Sequence, residues 1–255
     1  MHHGSIPPLR IGRTLLHREE TDSTNKLLWE LAADGLENGT VLFVDFQRQG
    51  KGQAGAVWES ESQSNLLLSF YLQTDWLAAA HQFRLNVAIS LAVYDFARMY
   101  LGPGTFLKWP NDLYYKDRKL GGILIENTIQ GGFLAESVIG IGININQAHF
   151  RGDFRATSFT KITGRFYMLR DVLEQLLACL QLRSSQLIEG AWLEQRSEYL
   201  GRLLGLGELR SFEYNSQLIK ATIIDVDPEG RLILDSHLGR LVMNNKEIKF
   251  RFDEV

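Results

Sequence analysis

Lys108-Trp109-Pro110-Asn111-Asp112 sets a cation, a fixed backbone bend and two oxygen donors within one short run. Pro110 fixes its own φ and drives Trp109 into extended backbone, so the run cannot be helical. A lysine closing an apolar strand is costly unless it reaches solvent or an anion. Asn111 and Asp112 carry oxygens of the kind Mg²⁺ takes. The same residues also suit a plain proline turn with its lysine extended to water.

A second signal, Gly50-Lys51-Gly52-Gln53-Ala54-Gly55, reads G-x-G-x-x-G after an apolar strand. A dinucleotide site would need a helix opening in that loop and an acidic residue about twenty positions on. The chain runs instead into Ala56-Val57-Trp58-Glu59-Ser60 and supplies neither. Lys51 is not a Walker lysine either, because Asp45 stands where the first glycine belongs. Two readings stay open. One is a cradle whose glycine N–H groups and Lys51 meet an anion, and the other is a flexible surface hairpin. Gly121-Gly122-Ile123-Leu124-Ile125-Glu126 and Gly140-Ile141-Gly142-Ile143-Asn144-Ile145-Asn146 then place glycines inside strands, where something approaches the backbone closely. Together these segments predict one elongated pocket, apolar at one end and phosphate-binding at the other.

Other chemistries find no support. The histidines (2, 3, 17, 81, 149 and 237) form no H-E-x-x-H, and no G-x-S-x-G elbow occurs. The single cysteine, Cys179, sits among Leu173, Leu176, Leu177 and Leu180 as a packing residue, and one cysteine excludes a disulfide framework and a cysteine-rich zinc site.

The elements that must hold these residues follow from spacing. Thr21-Asp22-Ser23-Thr24-Asn25 opens a helix carrying Leu27, Leu28 and Leu31. Strands are expected at 41–44, 66–72, 106–108, 113–116, 119–126 and 138–145, a helix over 76–100, and one or two helices over 170–199. After Gly205 to Gly207 the texture changes to short alternating strands at 219–226, 231–234, 240–243 and 247–252, separated by turn residues. The expectation is an α+β domain over 1–204 and a small antiparallel barrel over 205–255. With 255 residues, 45% hydrophobic and 22% charged, the chain has a globular composition. A net charge of -3, and seven basic against nine acidic residues over 205–255, argue against nucleic acid as a partner. No stretch reads as a membrane span or a signal peptide, so the cytoplasm is the expected location.

The motifs, taken in order, resemble those of biotin–protein ligases, enzymes that biotinylate the carrier of biotin-dependent carboxylases. Thr21 to Asn25, the glycine loop, Lys108 to Asp112, Lys119-Leu120-Gly121-Gly122-Ile123-Leu124 and Gly140 to Asn144 stand in the family's order and approximate spacing. The resemblance implies a catalytic domain like that of class II aminoacyl-tRNA synthetases, a mixed sheet flanked by helices, followed by an SH3-like barrel. It implies ATP and biotin as substrates, Mg²⁺ as cofactor, a biotin carboxyl carrier protein as partner and possible pairing into a homodimer. Carried over by motif, Lys108 is the catalytic residue. Ser23, Thr24, Asn25, Gln47, Gly50, Lys51, Gly52, Gln53, Trp58, Asn111, Gly122, Gly140, Gly142 and Asn144 are expected around biotin and the adenylate, and Asp112 is the expected metal ligand.

The family's loop usually reads Gly-Arg-Gly-Arg-x-Gly, whereas here Lys51 and Gln53 replace both arginines. Lysine keeps charge without the bidentate fork, and glutamine keeps only hydrogen bonding. The loop is therefore expected to hold an adenylate less tightly than its arginine-bearing relatives. About twenty residues precede the first motif, too few for the helix-turn-helix of some family members, so the expectation is a ligase without repressor activity. The alternatives are a lipoate or octanoate ligase and a non-catalytic biotin-binding protein.

Overall fold

Leu66 to Leu72 alternates between two environments, and this decides the architecture. Leu66, Leu68, Phe70 and Leu72 join one hydrophobic cluster, while Leu67 and Tyr71 join another on the opposite side. A strand apolar on both faces belongs in the middle of a covered sheet. The computed structural model describes residues 9–150 and 155–252.

The N-terminal part is a mixed sheet built from β1 (Leu15–Thr21), β2 (Val41–Gln47), β3 (Asn65–Gln73), β4 (Thr105–Lys108), β5 (Asp112–Tyr115), β6 (Arg118–Gln130) and β7 (Phe133–Asn144). Their order is β1-β2-β3-β7-β6-β5-β4, with β1 and β2 parallel and the other pairs antiparallel. Between β1 and β2 runs α1 (Thr24–Ala33), which sets Leu28 on the Leu67 and Tyr71 face. On the other face lie α2 (Gln82–Leu101), α3 (Phe159–Thr163), α4 (Leu169–Ile188) and α5 (Trp192–Gly201). No helix among the described residues is long and apolar enough to cross a membrane.

Most expected elements are present, and the differences have causes. The helix expected from residue 76 begins only at Gln82. Ahead of it, Leu77 and Ala79 spend backbone groups on the β6–β7 turn, through Leu134 N to Leu77 O at 2.9 Å and Ala79 N to Gly132 O at 3.0 Å. The stretch over 170–199 is two helices, separated where Gly190 takes φ +92. β1 was not expected, because its residues are mostly exposed and polar.

A separate antiparallel sheet follows, of β8 (Leu209–Tyr214), β9 (Gln217–Val226), β10 (Leu232–Ser236), β11 (Gly239–Met243) and β12 (Ile248–Arg251), in the order β11-β10-β9-β8-β12. The hydrophobic core runs without a break from Leu203 into Phe212 and Ile223. Docking is specific. Trp109 Nε1 donates to Gly230 O at 2.9 Å, and Arg196 reaches Asp225 Oδ1 at 2.7 Å and Val226 O at 3.0 Å. Gly230 has φ +88, and a Cβ there would collide with the Phe83 ring of α2. Gly230→Ala should therefore cost about 1–3 kcal/mol from backbone strain before any steric term. Urea denaturation checks this, and an unchanged midpoint would show that the turn yields freely.

Candidate functional site

Glycines in β6 and β7 remove side chains from the α1 face of the sheet and leave a trough. Val138 faces α1, so Gly140 and Gly142 share that face by the period of two. Gly142 pairs with Gly122 across the ladder, and Gly140 pairs with Leu124. A Cβ on Gly140 would run into Asn25 Oδ1, and one on Gly142 would lie 2.6 Å from the Trp58 ring. The resulting cavity has a volume of about 750 Å³, inside the ~300–1,000 Å³ range of small-molecule sites.

One end is closed by a polar network at the start of α1. Thr24 donates to Gln47 Oε1 from its backbone N at 2.8 Å and from Oγ1 at 3.1 Å. The Ser69 hydroxyl lies 2.7 Å from Thr24 Oγ1 and 2.6 Å from Asn25 Oδ1, and Asn25 Nδ2 donates to Glu126 Oε2 at 2.9 Å. Ser23, Thr24, Asn25 and Ser69 are buried, so these groups are desolvated and their geometry is fixed by one another. Such an end suits a ligand with both N–H and C=O groups.

Lys108 occupies the middle. It ends β4 directly opposite Asp112, the first residue of β5. Its Nζ is 3.9 Å from Asp112 Oδ2, 4.6 Å from the centroid of the Phe250 ring and 5.6 Å from that of Tyr114. Desolvation by burial pulls its pKa below the usual lysine range; Asp112 opposes the fall and Lys119 adds to it. Lys119 Nζ meets the other carboxylate oxygen of Asp112 at 2.6 Å.

The remaining wall comes from the glycine loop and the C-terminal sheet. Lys51 pairs with Val57 in an isolated bridge, and residues 53–55 form a short 3-10 turn. From the β11–β12 turn come Asn245 and Lys246, from β12 Lys249 and Phe250, and from just beyond it Phe252. Five lysines (51, 108, 119, 246 and 249) and one acid, Asp112, line the cavity. A chain with net charge -3 thus concentrates cations in one cleft, which favours a polyanion.

Most of the residues expected from sequence converge here: Ser23, Thr24, Asn25, Gln47, Lys51, Gly52, Gln53, Trp58, Lys108, Asn111, Gly122, Gly140 and Gly142 all line the cavity. Gly50 and Asn144 do not. A Cβ at Gly50 would abut the Trp58 carbonyl, so that glycine serves the loop's own packing, and Asn144 is buried with Nδ2 on Thr157 O at 3.1 Å. Sequence reasoning left out Lys119, Tyr114, Ser69 and the C-terminal residues. Lys119 stood inside a quoted motif, whereas nothing local marks Asn245 or Phe250 as neighbours of Lys108.

Asp112 departs from its expected part as metal ligand. Mg²⁺ takes a near-octahedral set of oxygens, but both Asp112 oxygens face ammonium groups and Asn111 directs its amide N–H at Ile123 O. These residues do not fit a resident cation. The carboxylate instead anchors two lysines.

Residues 18–144 match the Biotin/lipoate A/B protein ligase family. The chain is 30% identical over 221 residues to the biotin–[acetyl-CoA-carboxylase] ligase of Mycobacterium tuberculosis, covering 85% of this chain and 81% of that one. It belongs to the biotin–protein ligases. The bifunctional ligase/repressor BirA of Bacillus spizizenii is 27% identical over 234 residues, covering 90% of this chain and 71% of that one. Biotin protein ligase from Aquifex aeolicus, solved in complex with biotin and ATP, superimposes with a TM-score of 0.78 at 26% identity, covering 94% of this chain and 99% of that one.

Gln53 Oε1 accepts from Asn245 Nδ2 at 2.6 Å, so a hydrogen bond from the β11–β12 turn tethers the glycine loop. Asn245→Ala should release several times more free biotinyl-adenylate into the medium, measured by chromatography of the acid-quenched reaction. An unchanged release would show that the tether does not hold the loop.

The lowered pKa of Lys108 has a kinetic consequence. Its charged form is lost as pH rises, at a lower pH than for an ordinary lysine. The profile of kcat/KM for biotin, which reports the free enzyme, should fall on the alkaline side below the lysine range. Lys108→Arg should be slower at its optimum and lack that limb, because arginine stays charged.

Proposed function

We infer that this chain is an ATP-dependent biotin ligase, which forms biotinyl-5'-adenylate and passes the biotinyl group to a lysine of a biotin carboxyl carrier protein. The observation that carries this reading is Lys108, a cation whose side chain is only 16% exposed and which lines one cavity with the polar network of α1 and four further lysines. In the first step a biotin carboxylate oxygen attacks the α-phosphorus of ATP. A new P–O bond forms and the bond to the β-phosphate bridging oxygen breaks, its electron pair leaving with pyrophosphate. Carboxylate and phosphate repel each other on approach, and charge builds on the phosphoryl oxygens. Lys108, oriented by Asp112 and poorly solvated, offsets both effects without reorganising. Lys51, Lys246 and Lys249 are placed to receive the polyphosphate.

In the second step the carrier's amine nitrogen bonds to the acyl carbon. The acyl C–O bond to phosphate breaks with its electron pair going to AMP, and the nitrogen's proton is released to water. Biotin is favoured over lipoate or octanoate by the polar end itself. Thr24, Asn25, Gln47 and Ser69 can add or exchange hydrogen bonds with a ureido ring, which a hydrocarbon terminus can neither donate nor accept. A reaction consuming ATP also fits the cytoplasmic location expected from sequence. No step is assigned to a protein-held metal.

The test is ATP–pyrophosphate exchange with biotin, lipoate, octanoate or no acid. Exchange should depend on biotin and fall by about 10²-fold or more in Lys108→Ala, the scale of removing one preorganised charge-stabilising group. Exchange driven by lipoate would transfer the chain to the sister activity. No exchange from folded protein would leave a binding protein.

A further inference from the structure

A second cleft, of about 310 Å³, lies between the first turns of α2, strand β6 and the turns of the C-terminal sheet. Seven of its fifteen lining residues are asparagine or glutamine, and that composition decides what it can hold. Its only charged residues, Glu229 and Arg231, pair with each other at 3.3 Å, with Asp227 holding Arg231 at 2.6 Å. The wall therefore has no net charge to attract a phosphate, in contrast to the lysine-rich cavity beside it. Carboxamides present an N–H donor and a C=O acceptor together, the complement of a polypeptide main chain. Several of these groups are open: among the described residues Gln82 Nε2, Gln53 Nε2, Asn111 Oδ1 and Asn245 Oδ1 have no hydrogen-bond partner. Phe83, Ile123 and Ile125 give the floor an apolar surface for side-chain stems.

The cleft's position supplies the second argument. It shares Gln53, Trp109, Pro110, Asn111, Ile123 and Asn245 with the first cavity, and Trp109, Pro110 and Asn111 directly follow Lys108 in the chain. A nucleophile bound for the acyl carbon beside Lys108 cannot come through either end, since the biotin ring and the nucleotide fill those. The second cleft adjoins the first at the residues that follow Lys108, Trp109 to Asn111.

We propose that this carboxamide-lined cleft seats the main chain flanking the acceptor lysine of the carrier protein, so that the lysine side chain crosses the Pro110–Asn111 edge to the adenylate. This rests on the ligase reading above and adds the location and chemistry of acceptor recognition. Gln82, at the first position of α2, and Asn127, on β6, line the cleft alone and are no part of the biotin or nucleotide site.

The test uses Gln82→Ala and Asn127→Asp in the full chain. Aspartate keeps the oxygen that accepts from Ser137 Oγ at 2.7 Å while removing the N–H donor, which in the free cleft makes only a long 3.4 Å bond to Gln82 Oε1. Three readouts are compared with the wild type: biotin-dependent ATP–pyrophosphate exchange, capture of the enzyme-bound adenylate by hydroxylamine, and the KM for an isolated biotin carboxyl carrier domain. Exchange and hydroxylamine capture should stay within about twofold of wild type, while the carrier KM rises about tenfold, as for loss of one or two hydrogen bonds at an interface. An unchanged carrier KM in both variants, with exchange intact, overturns the cleft assignment alone. Absence of exchange in the wild type overturns the ligase reading and the cleft assignment with it.

Discussion

A carboxylate and a phosphate meet only if a positive charge stands between them, and that charge is useful only where water does not screen it. Keeping Lys108 both charged and poorly solvated is the constraint on which the rest of the structure depends. Burial alone would drive off its proton. Asp112 offsets this from the facing strand, Phe250 and Tyr114 present ring faces to the ammonium, and Lys119 holds the second oxygen of Asp112. These partners come from three strands, β5, β6 and β12, so the ammonium is positioned by sheet register and not by its own flexible stem.

The same constraint explains why two sheets build one site. The seven-stranded sheet provides the trough, because glycines at 122, 140 and 142 let a ligand lie against backbone where side chains would otherwise stand. That leaves Lys108 open on one side. The C-terminal sheet covers it, locked by Trp109 Nε1 on Gly230 O and by Arg196 on Asp225. Trp109 lies next to Lys108 in the chain, so docking of the second sheet and placement of the Lys108 ammonium are linked through adjacent residues. The Gln53–Asn245 bond extends this coupling to the glycine loop.

What could be read from sequence is what local chemistry fixes. Lys108 to Asp112, the glycines within β6 and β7 and the polar opening of α1 act through types and short spacings, and they pointed to one pocket before any coordinates. The residues that escaped depend on long-range pairing. Asn245 and Phe250 reach Lys108 only because β12 pairs with β8, and no pattern in residues 245–252 states where that strand will sit. Asp112 was assigned to a metal because an isolated aspartate near Asn111 looks like a ligand. The competing partner, Lys119, becomes its neighbour only through the β5–β6 ladder. β1 was missed for a simpler reason, since an exposed polar edge strand carries no alternation to detect. Asn144, expected near the adenylate, lies outside the cavity lining; its Nδ2 donates to Thr157 O while its buried Oδ1 has no partner among the described residues.

The cover of the site is drawn from residues 245–252, far along the chain from the pentapeptide it completes. During synthesis the trough, the polar end and Lys108 itself all leave the ribosome earlier. A nascent ligase could therefore fold its large sheet, yet its key ammonium would stand in open water until the final strands are made and docked. Until that strand docks, the trough stands open beside Lys108.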